Sequence, residues 1–456
     1  MEELSINEIV TAVSGRFNNK VKLTIDSIST DTRDLEAGDL FIALIGDNFD
    51  GHDFLAEAFE KGAKAAVVEA KREYELEQPL IKVEDTTEAL QDLAAYYLTK
   101  FSLPVIAVTG STGKTTTKDL IAAVVSQKYK TLKTKGNFNN EIGLPLTLFR
   151  LDQSYQAVVL EMGMRGLGEI AQLTKIAPPD IGVVTNVGKT HIELLGSINK
   201  IAQAKSELIQ SLGNKDTAIL NADDKRVKKM SSLTDGDIVY YSIDQDADLK
   251  GEQIKTLADK NSLAFKLNYQ ESLIDIILPI PGEYNVYNAL AAAAVGLELN
   301  LGLEDIKKGL ATAAVTEKRN QIITVSENIK IINDTYNANP TSVKAGLKTL
   351  NQIAEKRKIA VLGDMLELGR LAEKEHYKLG ATIIKEDIDY LITIGDLARE
   401  IAHGAEEQGL NKSKIFTYNK KEKVIVKLKE LMKAEDTILV KASRGMRLEE
   451  IVASIS

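Results

Sequence analysis

The stretch that most constrains the fold reads Pro104-Val105-Ile106-Ala107-Val108-Thr109-Gly110-Ser111-Thr112-Gly113-Lys114-Thr115-Thr116. An apolar run ends at Gly110, small residues follow, and Lys114 then precedes hydroxyl side chains. From Thr117 to Lys130, apolar residues recur at helical spacing. Strand, glycine turn and helix start form the context of a phosphate-binding loop, because N–H groups at the turn and the helix N-terminus point at an anion. We therefore predict such a loop here.

The loop has the form Gly-x-x-Gly-Lys-Thr and is shorter than the general pattern, which has a glycine where this chain has Val108. Lys114 would add a point charge, and Thr115 would offer its hydroxyl to magnesium. The alternative is a glycine-rich connector that binds nothing. The predicted nucleotide-binding residues of the loop are Gly110, Ser111, Thr112, Gly113, Lys114, Thr115 and Thr116.

Composition limits the class of protein. The 456 residues are 44% hydrophobic and 27% charged, which is typical of globular proteins with several domains. The net charge of −9 argues against nonspecific nucleic-acid binding. The absence of cysteine excludes disulfides, thiolate metal sites and a cysteine nucleophile. Because neither a signal peptide nor an integral membrane segment is evident, we expect a cytoplasmic enzyme.

Strand and helix patterns predict an α/β fold with three domains. Residues 1–100 would form a small α/β N-terminal domain. Residues 101–318 would form a phosphate-loop ATPase-like parallel sheet with an antiparallel insertion at 237–280, and residues 319–456 a doubly wound Rossmann-like domain. The predicted strands are Asp39–Ile45, Ala65–Glu69, Val105–Thr109, Ala157–Met162, Ile181–Asn186, Ala218–Asn221, Lys330–Asn333, Ile359–Gly363, Tyr390–Gly395, Lys414–Thr417 and Thr437–Lys441.

Ligands of open α/β sheets gather at the carboxyl ends of the strands. Two predicted strands of the central region end in polar residues: Glu161 ends one, and His191 follows the other. Oxygen-rich ligands with one imidazole suit magnesium or manganese better than zinc. The alternatives are a solvated glutamate and a surface histidine.

Lys205 falls on the apolar stripe of the helix predicted over Ser197–Leu212. A lysine at such a position must be paired, neutralised or chemically modified, because an isolated buried ammonium is costly. The alternative is that its side chain reaches the edge of the apolar face.

Polar residues also mark the strand ends of the last region. Asp334 ends its first strand, Arg319 precedes that strand, and Lys441-Ala442-Ser443-Arg444 ends its last strand. This edge is where two α/β units would share a ligand. Each residue could instead serve a turn or a helix cap, Asn339-Pro340 in particular.

Taken together, the motifs resemble the Mur ligases, ATP-dependent amide-forming enzymes of peptidoglycan precursor synthesis. The shortened phosphate loop is the form this family uses. The remaining motifs of the resemblance are Asn137–Pro145, Glu161–Gly163, Thr185–Val187 with His191, Ala202–Lys205, Pro281–Asn285 with Asn288, Arg319 and Gly363–Gly369.

Three features resemble the family member that uses UDP-N-acetylmuramoyl-tripeptide and D-alanyl-D-alanine. They are Asn333–Pro340, Ser29–Arg33 followed by Gly38–Leu44, and Lys441–Arg444, in which Ala442 replaces a glycine. The resemblance implies cytoplasmic ligation through an acyl phosphate, with ATP, two magnesium ions and no nucleic acid. We expect a monomer. The third residue of the tripeptide, lysine or meso-diaminopimelate, is left open.

The resemblance also implies roles for residues and domains. Residues 1–100 would bind the UDP substrate, 101–318 would bind ATP, and 319–456 would close over ATP and bind the dipeptide. The implied catalytic residues are Lys114, Lys205, His191 and Glu161. Nucleotide contacts would come from Asn288, Arg319 and Asp334, and metal ligands would be Thr115, Glu161, His191 and Lys205 as a carbamate. Substrate would contact Ser29, Asp31, Arg33, Asn139, Asn337, Asn339 and Arg444.

Three alternatives compete with this interpretation. A phosphate-loop kinase or motor ATPase would release phosphate without any added peptide. A nucleotide-regulated binding module would accumulate no ADP. Other members of the same family would add a different amino acid or peptide.

Overall fold

The computed structural model describes residues 1–257, 261–314, 316 and 318–456, without the side chain of Glu327. The chain divides into two compact units. The first comprises residues 1–107, 129–164 and 168–181, and the second comprises 108–128, 165–167 and the described part of 182–456. The three domain boundaries predicted from the sequence stay predictions.

Strands and helices alternate along most of the described chain. The strands are β1 (Leu4–Ser5), β2 (Arg16–Phe17), β3 (Thr24–Ile25), β4 (Ile28–Ser29), β5 (Leu40–Ile42), β6 (Ile45–Gly46), β7 (Phe49–Asp50), β8 (Ala65–Glu69), β9 (Leu80–Val83), β10 (Val105–Thr109), β11 (Thr131–Lys133), β12 (Ala157–Glu161), β13 (Ile181–Val184), β14 (Thr217–Asn221), β15 (Asp237–Ser242), β16 (Leu249–Thr256), β17 (Leu263–Tyr269), β18 (Ser272–Leu278), β19 (Gln321–Thr324), β20 (Lys330–Asp334), β21 (Lys358–Gly363), β22 (Tyr390–Ile394), β23 (Ile415–Tyr418) and β24 (Thr437–Lys441).

The α-helices are α1 (Ile6–Ala12), α2 (Leu55–Glu60), α3 (Thr86–Leu98), α4 (Lys114–Val125), α5 (Gly143–Leu148), α6 (Glu169–Ile176), α7 (Ile192–Leu195), α8 (Ile198–Gln210), α9 (Lys225–Lys228), α10 (Tyr284–Glu298), α11 (Leu303–Ala311), α12 (Pro340–Ile353), α13 (Ala372–Lys385), α14 (Arg399–Glu407), α15 (Lys421–Leu431) and α16 (Glu449–Ile455). Short 3₁₀ helices span Gly51–Phe54, Lys229–Leu233, Ser326–Asn328, Gly369–Leu371, Lys412–Lys414 and Arg444–Met446.

The first unit contains a five-stranded sheet in the order β2-β9-β8-β5-β4. Strands β4, β5, β8 and β9 pair in parallel, and β2 pairs antiparallel with β9. Residues such as Phe41, Ala66 and Val68 bury one face of this sheet in a hydrophobic core. The side chain of Asp85 accepts from two N–H groups at the start of α3, which caps that helix. Helix α3 packs on α5 and α6.

In the second unit, a separate sheet runs from the carboxyl end of β10 to β13 and then through β14 to β18 in chain order. The antiparallel insertion predicted over 237–280 is confirmed only from β16 onward. Strand β15 runs parallel to β14 over Thr217–Asn221, and β16 begins parallel to β15. Antiparallel pairing holds for β16, β17 and β18. Alternating polar residues in β15 to β18 indicate exposure of one face, but they do not distinguish parallel from antiparallel neighbours.

A second sheet of this unit has the order β19-β20-β24-β21-β22-β23. The five strands from β20 to β23 in that order pair in parallel, which confirms the doubly wound prediction. Strand β19 was not predicted; it pairs antiparallel with β20 at the edge. Buried aliphatic residues, among them Ile331, Val361 and Ile438, form the core beneath the sheet.

Helix boundaries differ from the predicted ones by a few residues. The helix expected from Thr117 begins at Lys114, because Gly113 caps it in a left-handed conformation, and ends at Val125. The helix predicted over Ser197–Leu212 spans Ile198–Gln210, with Ser197 as its N-cap. Among the described residues, no helix is long and apolar enough to cross a bilayer.

Candidate functional site

Two glycines shape the loop between β10 and α4. Gly113 has φ +82° and Gly110 has φ +150°, values that residues other than glycine rarely adopt. A Cβ atom at position 110 would lie 1.9 Å from Thr185 Oγ1, and one at position 113 would lie 2.6 Å from Asn288 Oδ1. The loop backbone therefore turns sharply between β10 and the N-terminus of α4, with no room for side chains at either glycine.

Asn186 holds the middle of this loop. Its Oδ1 accepts from the backbone N–H of Thr112 at 3.0 Å and from the Thr112 hydroxyl at 2.9 Å. Its Nδ2 donates to the Thr112 carbonyl at 2.9 Å, and the Thr185 hydroxyl donates to that same carbonyl at 2.7 Å. The residues that follow β13 thus fix the conformation of the phosphate loop.

The remaining loop residues are also anchored. The backbone N–H of Ser111 donates to the Asn186 carbonyl at 3.0 Å, and the N–H of Gly188 donates to Ser111 Oγ at 2.8 Å. Lys114 Nζ donates to the Gly110 carbonyl at 2.9 Å, which folds the lysine back over the loop. Thr115 is buried at the first turn of α4. The predicted residues of the loop therefore lie together.

Asn288 lies against the same loop from α10. Its Oδ1 accepts from the Thr117 hydroxyl at 3.0 Å, and its Nδ2 donates to Asn285 Oδ1 at 2.8 Å. Because α4 packs on α10, this side chain is held beside Gly113. The structure thus brings Asn288 to the phosphate loop, and its contact with a nucleotide stays a prediction.

Lys205 is 2% exposed within α8. Burial first, and the positive charge of Lys114 second, hold the pKa of Lys205 well below its ordinary value of 10.5. Among the described residues, no hydrogen bond or ion pair neutralises this amine. The prediction that Lys205 faces inward is confirmed, and the alternative of an edge-reaching side chain is wrong. The neutral amine is therefore more accessible here than in an exposed lysine.

His191 has a backbone φ of +52° and precedes α7. Its Nδ1 lies 2.6 Å from the carboxylate of Glu367, a residue that follows β21. The approach of His191, together with the positive charge of Arg165, holds the pKa of Glu367 below its ordinary value despite partial burial. Glu367 lies within the Gly363–Gly369 motif, but the sequence alone indicated no role for it.

Arg319 and Arg444 meet at one aromatic ring. The guanidinium carbon of Arg319 lies 3.8 Å from the centroid of the Tyr336 ring, and that of Arg444 lies 5.0 Å from it. Arg319 Nε is buried and has no hydrogen-bond partner among the described residues. Two predicted ligand-binding arginines are thus brought together by a tyrosine that was not predicted as a site residue.

Asp334 and the residues after it are tied to the end of β24. Lys441 Nζ donates to Asp334 Oδ2 at 2.5 Å and to the Asn337 carbonyl at 2.9 Å. Asn339 caps α12, since its Oδ1 accepts from the N–H of Ser342 at 2.9 Å with Pro340 as the first helical residue. The alternative interpretation of Asn339-Pro340 as a helix start is therefore confirmed. Asn337 is exposed.

In the first unit, Asn139 Nδ2 donates to Glu161 Oε1 at 2.8 Å. Glu161 ends β12 and is 2% exposed, and its backbone N–H donates to Thr134 Oγ1 at 3.0 Å. The backbone N–H of Gly163 donates to the Asn139 carbonyl at 2.8 Å. Asn139 and Glu161, both predicted site residues, are thus joined by a hydrogen bond. The alternative that Glu161 is a solvated surface glutamate is wrong.

Ser29, Asp31 and Arg33 lie together in the turn after β4. Ser29 Oγ donates to the Asp31 carbonyl at 2.9 Å. The Arg33 guanidinium contacts both carboxylate oxygens of Asp31, from 2.5 to 3.0 Å, and holds the pKa of Asp31 at about 2. The Arg33 side chain is otherwise exposed to solvent.

Some of the predicted metal ligands carry donor atoms of the kind that magnesium prefers. They include the buried hydroxyl of Thr115 and the buried carboxylate of Glu161, which are hard oxygen donors. A carbamate on Lys205 would add another such donor in the second unit. Among the described residues, no group of three or more His, Cys, Asp or Glu side chains could hold a metal ion.

Three family models match the chain. The Mur ligase family catalytic domain matches residues 24–98, the Mur ligase middle domain matches 108–296, and the Mur ligase glutamate ligase domain matches 318–444.

Similar proteins cover the chain from end to end. The UDP-N-acetylmuramoyl-tripeptide–D-alanyl-D-alanine ligase of Bacillus subtilis (strain 168) is 39% identical, with 100% of this chain and 99% of the relative covered. The ligase of the same name from Escherichia coli (strain K12) is 34% identical with the same coverage. A crystal structure of MurF from Acinetobacter baumannii superposes with a TM-score of 0.93 at 32% identity, covering 100% and 99% of the two chains. The MurF ligase from Thermotoga maritima in complex with ADP gives 0.84 at 29% identity, covering 94% and 96%.

Proposed function

The chain belongs to the Mur ligase family, and we propose that it joins D-alanyl-D-alanine to UDP-N-acetylmuramoyl-tripeptide at the expense of ATP in peptidoglycan precursor synthesis. The observation that carries this proposal is the identity of 39% and 34%, over the whole chain, to two ligases named for that substrate pair. The phosphate loop of the second unit supplies the nucleotide chemistry such a ligase needs.

The reaction divides into two balanced steps. The terminal carboxylate oxygen of the tripeptide attacks the γ-phosphorus of ATP, the bond to the bridging oxygen breaks, and ADP leaves. The amine of D-alanyl-D-alanine then attacks the acyl carbon of the acyl phosphate, and a tetrahedral intermediate forms. Phosphate leaves with the bonding electron pair, the amine loses a proton, and the amide remains. No enzyme nucleophile is required, in agreement with a chain that lacks cysteine.

Catalysis on this scheme consists of alignment and charge neutralisation. Lys114 and the N–H groups at the N-terminus of α4 would hold the β- and γ-phosphates, because the first N–H groups of a helix point at an anion placed there. Asn288 would reach the nucleotide from α10. Arg319, which precedes β19, would contact the nucleotide, and Asp334, which ends β20, would contact its ribose.

Each unit carries proposed substrate contacts. In the first unit, Ser29, Asp31, Arg33 and Asn139 are the proposed contacts of the UDP-tripeptide. Arg444 would pair with the carboxylate of the dipeptide, because its guanidinium is exposed beside Tyr336. Asn337 and Asn339 complete the proposed dipeptide contacts, and the side chain of Asn339 also caps α12. We place the reaction in the cytoplasm, where both nucleotides would be available.

Magnesium would neutralise phosphate charge when bound. Thr115, His191 and a carbamylated Lys205 are the proposed ligands of the second unit, and Glu161 is proposed from the first on the chemistry of its buried carboxylate. Carbon dioxide adds only to a neutral amine. The burial of Lys205 and its lowered pKa support that modification, because the neutral form is populated at lower pH than in an exposed lysine.

The test measures ADP release and product mass with purified UDP-tripeptides that carry lysine or meso-diaminopimelate, with and without D-alanyl-D-alanine. We expect product only when ATP, UDP-tripeptide and dipeptide are all present, and the preferred tripeptide identifies the third residue. Replacing D-alanyl-D-alanine by single amino acids tests for other family activities. Vigorous ADP release from ATP and magnesium alone would instead support a kinase or motor ATPase, and absence of ADP under all conditions a binding module.

A further inference from the structure

Lys441 is a buried lysine at the carboxyl end of β24, 2% exposed. In the parallel pairing of β20 and β24, Lys441 lies in register with Asp334. Its Nζ donates to Asp334 Oδ2 at 2.5 Å and to the Asn337 carbonyl at 2.9 Å. One ammonium group therefore holds both the carboxylate that ends β20 and the backbone three residues later.

The same strand end holds the rest of this loop. Ser443 Oγ donates to the Ala338 carbonyl at 3.4 Å and accepts from the Leu366 N–H at 2.8 Å. The segment of residues 334–339, which we call the β20–α12 loop, is thus attached to the end of β24 by two side chains. Its far end is fixed by the Asn339 cap of α12.

We propose that Lys441 is a positioning residue for two ligands at once. Through Asp334 it sets the carboxylate assigned to the nucleotide ribose, and through the Asn337 carbonyl it sets the loop assigned to the dipeptide. This inference rests on the proposed function. A charge-assisted hydrogen bond in a buried site has a narrow geometry, so loss of the ammonium would displace both groups. Binding of the UDP-tripeptide to residues of the first unit would not depend on Lys441.

A merely structural ion pair is the competing explanation, and the chain offers a matched control. Lys358 is also buried in this sheet, but it lies at the opposite, amino-terminal end of β21. Its Nζ donates to Asn351 Oδ1 at 3.0 Å and to Asp387 Oδ2 at 3.0 Å. Loss of Lys358 therefore removes a comparable lysine from the same sheet without touching the β20–α12 loop.

The experiment compares Lys441→Met and Lys358→Met in the full chain. Steady-state kinetics give KM for ATP, dipeptide and UDP-tripeptide separately, and thermal unfolding reports stability. For Lys441→Met we expect KM for ATP and for D-alanyl-D-alanine to rise about tenfold or more, because small displacements of aligned groups are costly. We expect KM for the UDP-tripeptide to stay within about twofold in both variants, and all three constants to do so in Lys358→Met.

Amide hydrogen exchange on the protein without substrates provides a second readout. Exchange at residues 335–338 should accelerate in Lys441→Met and stay unchanged in Lys358→Met. If Lys441→Met does not fold, Lys441→Gln keeps a donor and most of the volume. Unchanged KM values, the same pattern in both lysine variants, or failure of both Lys441 variants to fold would overturn the positioning role. If the wild-type protein forms no product with the dipeptide, the proposed function fails instead.

Discussion

Asn186 holds Thr112 through both atoms of its amide, accepting from the Thr112 N–H and hydroxyl and donating to the Thr112 carbonyl at 2.9 to 3.0 Å. The contact joins the end of β13 to the middle of the phosphate loop, across 74 positions of the sequence. Because the loop must keep one conformation for the N-terminus of α4 to face the phosphates when ATP arrives, this contact is a source of preorganisation.

Asn186→Ala should therefore lower kcat/KM for ATP by about 10- to 100-fold, since the loop loses its side-chain anchor. Stability should fall by about 1–3 kcal/mol, because the Thr112 groups lose their partners. Kinetics and urea unfolding measure the two effects. Asn18→Ala is the control: Asn18 also bonds to backbone groups of the first unit, at Gln78 and Leu80, so it should cost stability and leave KM for ATP unchanged. Equal kinetic effects in the two variants would contradict the role of Asn186.

Lys114→Ala should abolish turnover, with a loss of at least about 10²–10³-fold, because a positive charge at the transferred phosphoryl group is removed. Lys114 Nζ donates to the Gly110 carbonyl, a contact local to the loop, so thermal unfolding without ATP should change little. ADP release and thermal unfolding test this. Near-normal turnover would disprove the phosphate-loop assignment.

Lys205→Ala should be nearly inactive, and short-chain carboxylates should restore part of the activity by replacing the lost carbamate. The mass of the intact protein, measured with and without bicarbonate, tests the modification directly. Lys200→Ala, in the same helix but exposed, is the control and should behave as wild type. Full activity of Lys205→Ala would exclude a role for Lys205 in metal binding.

We expect the aromatic ring of Tyr336, and not its hydroxyl, to support ligand binding by Arg319 and Arg444. Two guanidinium groups lie within 5.0 Å of the ring centroid, and each such contact contributes about 0.5–2 kcal/mol. Tyr336→Leu should therefore raise KM for ATP and for the dipeptide, as Arg319 and Arg444 lose their common support. Tyr336→Phe keeps the ring and should stay close to wild type in steady-state kinetics. A large defect in the phenylalanine variant would point to the hydroxyl instead.

His376 should make stability depend on pH. Its ring is fully buried, its Nε2 accepts from the Met365 N–H at 2.9 Å, and burial lowers its pKa below 6.5 although the Ala372 carbonyl, Asp364 and Glu400 oppose this effect. As the pH falls, His376 therefore gains a proton in the unfolded chain at a higher pH than in the folded protein. The contribution of His376 to the free energy of unfolding is present in full above about pH 6.5. It is lost as the pH falls through the pKa of His376 in the folded protein. Each tenfold difference in proton affinity between the unfolded and folded states corresponds to about 1.4 kcal/mol of stability.

The measurement is urea unfolding between about pH 5 and 8, the range in which histidine titrates. His376→Gln, which cannot gain a proton, should flatten this part of the profile. His403→Gln is the control, because His403 is exposed on α14 and should leave the profile unchanged. An unchanged profile in His376→Gln would show that other groups set the pH dependence.

Local sequence patterns predicted a large part of the fold and several features of the candidate site. The β-branched run before Gly110 predicted β10, and the position of Lys205 in the periodicity of α8 predicted a buried amine. Both depend on residues within a few positions of one another, where strand and helix geometry alone decides which side chains share a face. The pair Asn339-Pro340 likewise indicated a turn or a helix cap, and the structure has the start of α12 there.

Contacts between distant segments were decided only by the tertiary structure. Which strands are neighbours, and in what register, decides three of these contacts. They are the hydrogen bonds of Asn186 to Thr112, the ion pair of Lys441 with Asp334, and the approach of Arg319 and Arg444 to Tyr336. The pattern of one strand does not contain that information, because its alternation fixes a face and not a partner. The sequence by itself therefore determined the phosphate loop, the inward lysine and the family, whereas strand order and register decided which residues hold those groups in place.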